Sequence, residues 1–163
     1  MAVAELYWVP SGTKGRLAIA PRPRAGDWLE DEILSWKAAG VQVVVCLLED
    51  HETVDLDLSQ EGPACSRHEI DFLRFPIPDR GLPANDQAIA FSRSLAQMLI
   101  QGRSVLIHCR AGIGRTGLLA SAVLVQLGLE PAQVIAIVGE ARRLAIPDTY
   151  EQRDWILNLR SAR

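Results

Sequence analysis

Long apolar runs are missing from this sequence. No stretch approaches 18 apolar residues, and Met1 to Val9 has no basic region ahead of an extended apolar core. Neither a membrane span nor a secretory leader is therefore expected, and cytoplasm is the expected compartment. Cysteine is scarce: Cys46, Cys65 and Cys109 are odd in number and never spaced C-x-x-C. That pattern suits a reducing environment and gives no sign of a disulfide framework or a metal site. Positive charge is not in excess either, since 17 Lys and Arg stand against 20 Asp and Glu for a net charge of −3. A general nucleic-acid or anionic-membrane binder would show a basic face, so no nucleic-acid partner is expected and local positive charge must be concentrated at a site. Internal repeats and low-complexity segments are absent too. What remains is a chain of 163 residues, 48% hydrophobic, enough to bury a core as one domain over residues 1–163.

Taken in order, the chain alternates strands and helices. Leu6 to Val9 and Leu17 to Ala20 read as a hairpin around Ser11 to Gly15 that covers a sheet edge. Asp27 can cap a helix whose Leu29, Ile33 and Trp36 share one face and which ends at Gly40. Val41 to Leu48 is unbroken apolar sequence, as expected of a strand covered on both faces. Glu49 to Pro63 is acidic, with Glu49, Asp50, Glu52, Asp55, Asp57 and Glu61. It reads as a solvated loop, with a helical turn at most and without chemistry, and His51 within it as solvated surface. Ile70 to Phe75 is a further strand, and Asn85 opens a helix with Ala88, Phe91, Leu95 and Met98 on one face. A short aliphatic strand, Val105 to Ile107, precedes a glycine-rich loop, and Leu118 to Leu127 is apolar nearly all round, as a fully buried helix would be. Val134, Val138, Ala141 and Ala145 mark another helix, and Thr149 to Gln152 is a capping box for the last one. The sum is an α/β fold with a central, mostly parallel sheet flanked by helices.

The chemistry concentrates in His108-Cys109-Arg110-Ala111-Gly112-Ile113-Gly114-Arg115-Thr116-Gly117. A loop between a strand and a buried helix aims backbone N–H groups and the helix dipole at an anion. Gly112 and Gly114 let that backbone come close, and the planar fork of Arg115 can hold two oxygens. The same positive field favours the thiolate of Cys109, the form that attacks. Residues Arg110, Ala111, Gly112, Ile113, Gly114 and Arg115 thus form a candidate phosphate cradle with a nucleophile in it.

His-Cys, five residues, Arg-Thr resembles the signature of the cysteine-based protein tyrosine and dual-specificity phosphatases, with every defining position filled. The resemblance implies that Cys109 attacks phosphorus to give a phosphocysteine, Arg115 binds the transferring group and the Thr116 hydroxyl helps the thiolate leave. It implies hydrolysis of phosphate monoesters on phosphorylated proteins, as a monomer and without a cofactor, the catalytic loop lying between a central strand and a buried helix. Phosphoinositide or RNA 5′-phosphatase activity, and a binding module that retains phosphorylated partners without turning them over, stay open. Gly112 to Gly117 also spells G-x-G-x-x-G, but the acidic residue about 20 positions on that a dinucleotide fold needs is replaced by Glu130-Pro131 opening a helix. The Walker pattern fails because no Lys-Ser or Lys-Thr follows the glycines.

Protonation of the leaving oxygen requires an acid. Asp79, displayed in the stiff turn Pro78-Asp79-Arg80-Gly81-Leu82-Pro83, is the candidate, and that setting resembles the general-acid loop of dual-specificity enzymes, particularly the group around the CDK-associated phosphatase. Gln152 shares a helical face with Ile156 and Leu159. It is either a helix cap or, as the resemblance implies, the amide that positions hydrolytic water. His108 is expected to hydrogen-bond backbone and support the loop. Arg142 and Arg143 are explained by the dipole of a helix C-terminus. Cys46 sits near the end of its strand, and parallel neighbours about 4.8 Å apart fall within the roughly 4.4 to 6.8 Å Cα range of a disulfide. It is either a redox partner of Cys109 or plain packing.

Overall fold

A computed structural model describes residues 5–160; the ends of the expected 1–163 domain, residues 1–4 and 161–163, lie outside the described residues. Its five-stranded sheet has the order β1-β2-β5-β3-β4. The strands are β1 (Tyr7–Val9), β2 (Leu17–Ala20), β3 (Val43–Cys46), β4 (Asp71–Arg74) and β5 (Val105–His108). Only the β1–β2 hairpin is antiparallel. Strands β2, β5, β3 and β4 are parallel neighbours, so β5 runs through the centre and its C-terminal end opens where ligands of open α/β sheets bind.

Among the described residues seven α-helices cover the sheet: α1 (Leu29–Ala38), α2 (Asp50–Asp55), α3 (Glu61–Arg67), α4 (Asn85–Ile100), α5 (Gly114–Gln126), α6 (Pro131–Arg142) and α7 (Tyr150–Leu157). Alternation along the strands sorts the core into two layers. Val43, Val45, Val105 and Ile107 face the side of α4, α5, α6 and α7. Val44, Cys46, Ala18 and Leu106 face α1 and α3. Because both faces are covered, β2, β3 and β5 are buried at every position, which is why they read as continuous apolar runs. Helix α5 is buried from Gly114 through Val125: it packs on the sheet beneath α4, α6 and α7 and has no solvent face to keep polar.

Three sequence expectations need correction. The Glu49–Pro63 stretch is more than a solvated loop with a helical turn: it holds α2 and the start of α3, and Glu52 and Glu61 are 3% and 1% exposed. Carboxylates predict solvent unless a cation waits for them, and theirs come from distant parts of the chain. Asp27 does not cap α1, because a 3₁₀ turn at Gly26–Trp28 intervenes and Trp28 occupies the cap position. Strand β3 is shorter than the apolar run that contains it: Leu47 and Leu48 stay buried past its end. There the backbone keeps pairing, Leu47 N–H donating to the His108 carbonyl at 3.0 Å and Ile77 N–H to that of Leu47 at 3.0 Å, so the chain after β4 is carried toward the end of β5.

Leu106 is wholly buried in the α1–α3 layer. Leu106→Ala should cost about 3 kcal/mol, in the range for a cavity at a rigid site, read as a lower denaturant midpoint at unchanged m-value.

Candidate active site

The loop from Cys109 to Arg115 leaves the central strand and enters the N-terminus of α5. Its carbonyls are held from outside. Arg22 N–H donates to the Arg110 carbonyl at 3.1 Å, and Arg142 donates from Nη2 to the Ala111 carbonyl and from Nε to that of Gly112, both at 3.1 Å. In a trans peptide the C=O and the next N–H point opposite ways. Holding the carbonyls of residues 110, 111 and 112 therefore turns the amides of 111, 112 and 113 the opposite way, away from Arg22 and Arg142. Gly112 is required twice over: its φ is +72°, and an added Cβ would lie 2.5 Å from the Ala20 backbone carbon. At Gly114 an added Cβ would meet Asp148 Oδ2 at 2.5 Å.

Arg115 is 2% exposed, and the Nη1 end of its guanidinium is engaged. Nη1 and Nη2 donate to Glu52 Oε2 and Oε1 at 2.7 and 2.9 Å, a bidentate pair, and Nη1 also donates to the Ile77 carbonyl at 2.9 Å. Burial alone would push the Arg115 pKa down; the Glu52 hydrogen bonds, together with the charges of Cys109, Glu52 and Asp79, outweigh it and raise it. Burial likewise pushes the Glu52 carboxyl up, but the bonds from Arg115 and from the Glu49 amide bring it below the ordinary carboxylate value. The Glu49 bond belongs to the capping box of α2, with Glu49 N–H donating to Glu52 Oε2 at 2.9 Å.

Asp79 stands at the mouth, its side chain 60% exposed and Oδ1 3.4 Å from Arg115 Nη2. Cys109 is 3% exposed at the base. Thr116 is wholly buried, and its hydroxyl has no hydrogen-bond partner among the described residues. Gln152 is buried and doubly engaged: Oε1 accepts from the amides of Asp148 and Thr149 at 3.2 and 3.3 Å, while Nε2 donates to the Gly81 carbonyl at 3.1 Å. It thereby closes the cap of α7 and ties that helix to the turn carrying Asp79. Arg110, with a half-exposed side chain, lies 3.8 Å from Glu52 Oε1, and Ala111 and Ile113 complete the rim. A cavity of about 660 Å³ beside β4, lined by Gly62, Phe72, Met98 and Arg103 among others, includes no residue of the loop.

His108 occupies the other side of β5, its Nδ1 3.2 Å from the Cys109 carbonyl oxygen and its Nε2 2.5 Å from Glu61 Oε2. Cys46 is its register partner. The donor atoms of Cys46, Glu61 and His108 lie within 4.8 Å of one another, but the 2.5 Å N···O contact is a hydrogen bond that leaves no room for an ion between them. Cys46 belongs to the α1–α3 layer and Cys109 to the other, so a bond between the two thiols requires the loop to carry Cys109 around the strand end.

Residues 20–129 match the family model described as a polymorphic toxin system DSP-PTPase phosphatase. The chain belongs to this phosphatase family. Among curated relatives, Cyclin-dependent kinase inhibitor 3 of Rattus norvegicus is 31% identical over 107 residues, 64% of this chain and 48% of the relative. The chain thus matches about half the length of such relatives. Kinase associated phosphatase, solved with serine in place of its catalytic cysteine, superposes with a TM-score of 0.88 at 19% identity over 96% of this chain and 93% of that one, which shows the fold. A mutant form of Tk-PTP is 30% identical over 87% of each chain, with a TM-score of 0.71.

Sequence reasoning missed three residues of this candidate site: Glu52, Glu61 and Arg142. The first two were assigned to a solvated loop and the third to a helix dipole. Arg142 is 9% exposed, and its guanidinium lies 4.2 Å from the centroid of the Tyr7 ring.

Two expectations follow. Arg142→Met, which keeps bulk but releases two loop carbonyls, should lower kcat/KM on an aryl phosphate by about 10²-fold, the scale of a small misplacement of catalytic groups, while the melting temperature changes far less. Glu52→Gln leaves a buried guanidinium without its counter-charge and should cost about 3 kcal/mol at neutral pH. Because the folded pKa of Glu52 lies below the unfolded 4.5, the part of that difference that depends on the Glu52 charge is complete above pH 4.5 and is lost as pH falls through the folded value; melting curves of both proteins from pH 3 to 8 read it.

Proposed function

We propose that this chain hydrolyses phosphate monoesters on phosphorylated proteins, at tyrosine and at serine or threonine, through a phosphocysteine intermediate. The observation that supports the reading is the row of carbonyls at residues 110 to 112 held by Arg22 and Arg142, an arrangement suited to amides that face an anion beside Cys109. The Cys109 thiolate attacks phosphorus as the ester P–O bond breaks, and Asp79 gives its proton to the departing oxygen. Water then attacks phosphorus, Asp79 recovers a proton from it, and the S–P bond breaks to return the thiolate. Thr116 supplies the otherwise unpartnered hydroxyl that stabilises that thiolate. With two edges of the Arg115 fork occupied by Glu52 and Ile77, its Nε and Nη2 edge is left for two phosphoryl oxygens, Asp79 yielding its contact. Gln152 positions the turn that carries Asp79 and, through it, the hydrolytic water.

Arg110, half-exposed at the mouth, is the feature that keeps a phosphoinositide substrate as the rival, since a second basic group beside the cradle suits a polyphosphorylated headgroup. Cys46 as a redox partner of Cys109 is a further proposal; recovery of Cys46→Ser by thiol after peroxide that is as complete as in the parent reduces Cys46 to packing.

Release of phenol from an aryl phosphate should be abolished by Cys109→Ser and by vanadate, and unaffected by metal chelators. Asp79→Ala should reduce turnover of esters with poor leaving groups by about 10² to 10⁴ and of activated esters much less; equal loss on both would make Asp79 structural. Assays on phosphotyrosine, phosphothreonine and phosphoinositide substrates side by side decide between the protein and lipid readings.

A further inference from the structure

On the face of the sheet away from the cradle lies a group of ionisable side chains that the reaction above does not use. His108, Glu61 and Cys46 are 0%, 1% and 0% exposed. Trp36 of α1 closes the group from above, its ring 6.0 Å from the His108 ring at 35°. Cys65, one turn beyond Glu61 on α3, faces the same interior, and its thiol is pushed up to about 12 by burial and by the nearby Glu61 and Cys46. Among the described residues no cation other than His108 is paired with Glu61.

Both ring nitrogens of His108 face oxygen acceptors: Nε2 the Glu61 carboxylate at 2.5 Å, Nδ1 the Cys109 carbonyl at 3.2 Å. With Glu61 ionised, a neutral imidazole has one N–H and satisfies one of them, whereas an imidazolium satisfies both. A buried carboxylate also demands a counter-charge. We propose that Glu61 is a positioning residue for the nucleophile: its carboxylate holds His108 as an imidazolium, whose Nδ1–H donates to the Cys109 carbonyl and sets a buried positive charge directly behind the thiol. The pair is neutral overall, but its positive end is the nearer to Cys109, so its field there favours the anion. Burial alone would strip the proton from His108, and the Glu61 charge with Cys46 beside it reverses that direction. The inference deepens the phosphatase reading and rests on Cys109 being the nucleophile.

Glu61→Gln separates charge from shape. The amide can still donate to Nε2, leaving Nδ1–H on the Cys109 carbonyl, so the loop keeps its bonds while the imidazolium becomes neutral. The test is the rate of Cys109 alkylation by iodoacetamide from pH 5 to 9, followed at that residue by peptide mass spectrometry, together with ¹⁵N shifts of His108. The parent should show a doubly protonated His108 at pH 7. In Glu61→Gln the ring should be neutral and the midpoint of alkylation should rise by about one pH unit, the lower end of the effect of a nearby charge, with alkylation about tenfold slower below the midpoint. A neutral His108 in the parent, or an unchanged midpoint in the variant with only a uniform loss of rate, overturns the proposal. If the variant does not fold, the ¹⁵N shifts of the parent still decide. Alkylation needs no turnover: a chain that alkylates as described but releases no phosphate defeats the phosphatase reading alone, and one that hydrolyses normally with an unmoved midpoint defeats only this inference.

Discussion

A guanidinium taken out of water must be paired, and much of this structure is arranged around pairing the one on Arg115. Its bidentate partner Glu52 is itself fixed by the capping box of α2, so that short helix has to sit over the C-terminal end of the sheet. The Ile77 carbonyl, the third partner, draws the segment after β4 to the same point. Three parts of the chain distant in sequence thus converge on one fork, and the turn bearing Asp79 is delivered to the mouth as a consequence. Breaking such a pair exposes one charge to an interior that cannot solvate it, which is why the arrangement behaves as a unit.

The loop beside it depends on a second constraint, the orientation of peptide planes. An amide cannot be aimed inward unless its neighbouring carbonyl is accepted outside. Arg142 and the backbone of Arg22 provide that acceptance. A cation on the outer side of an anion site is therefore not in competition with the anion; it holds the carbonyls away from it. The close approach of Gly112 to Ala20 and of Gly114 to Asp148 shows how little space the loop has to relax, and the fold shared with kinase associated phosphatase supplies the rigid strand and helix on either side.

The two faces of β5 divide the electrostatics. One face presents Cys109 and the cradle, the other the His108–Glu61 pair, and the strand backbone between them couples the two through the Cys109 carbonyl. Apolar helices α4 to α7 pack the first face and α1 and α3 the second, so the Arg115 and Cys109 side chains on one side and the His108–Glu61 pair on the other are almost wholly buried and their charges act through a low dielectric.

The sequence by itself determined what is local. The glycines, thiol and arginine of residues 109 to 117 are contiguous, the apolar runs of β3, β5 and α5 carry their burial in their composition, and Thr149 with Gln152 spells its own cap. From these the fold class, the family and the candidate nucleophile could be read. Only the tertiary structure decided the fate of Glu52, Glu61 and Arg142. Their partners lie 63, 47 and about 30 residues away, and an acidic or basic side chain looks solvated until the fold puts its counterpart beside it. Tertiary structure also assigned Cys46 and Cys109 to different core layers, because parallel register fixes which residues are neighbours while strand alternation fixes which face each one takes.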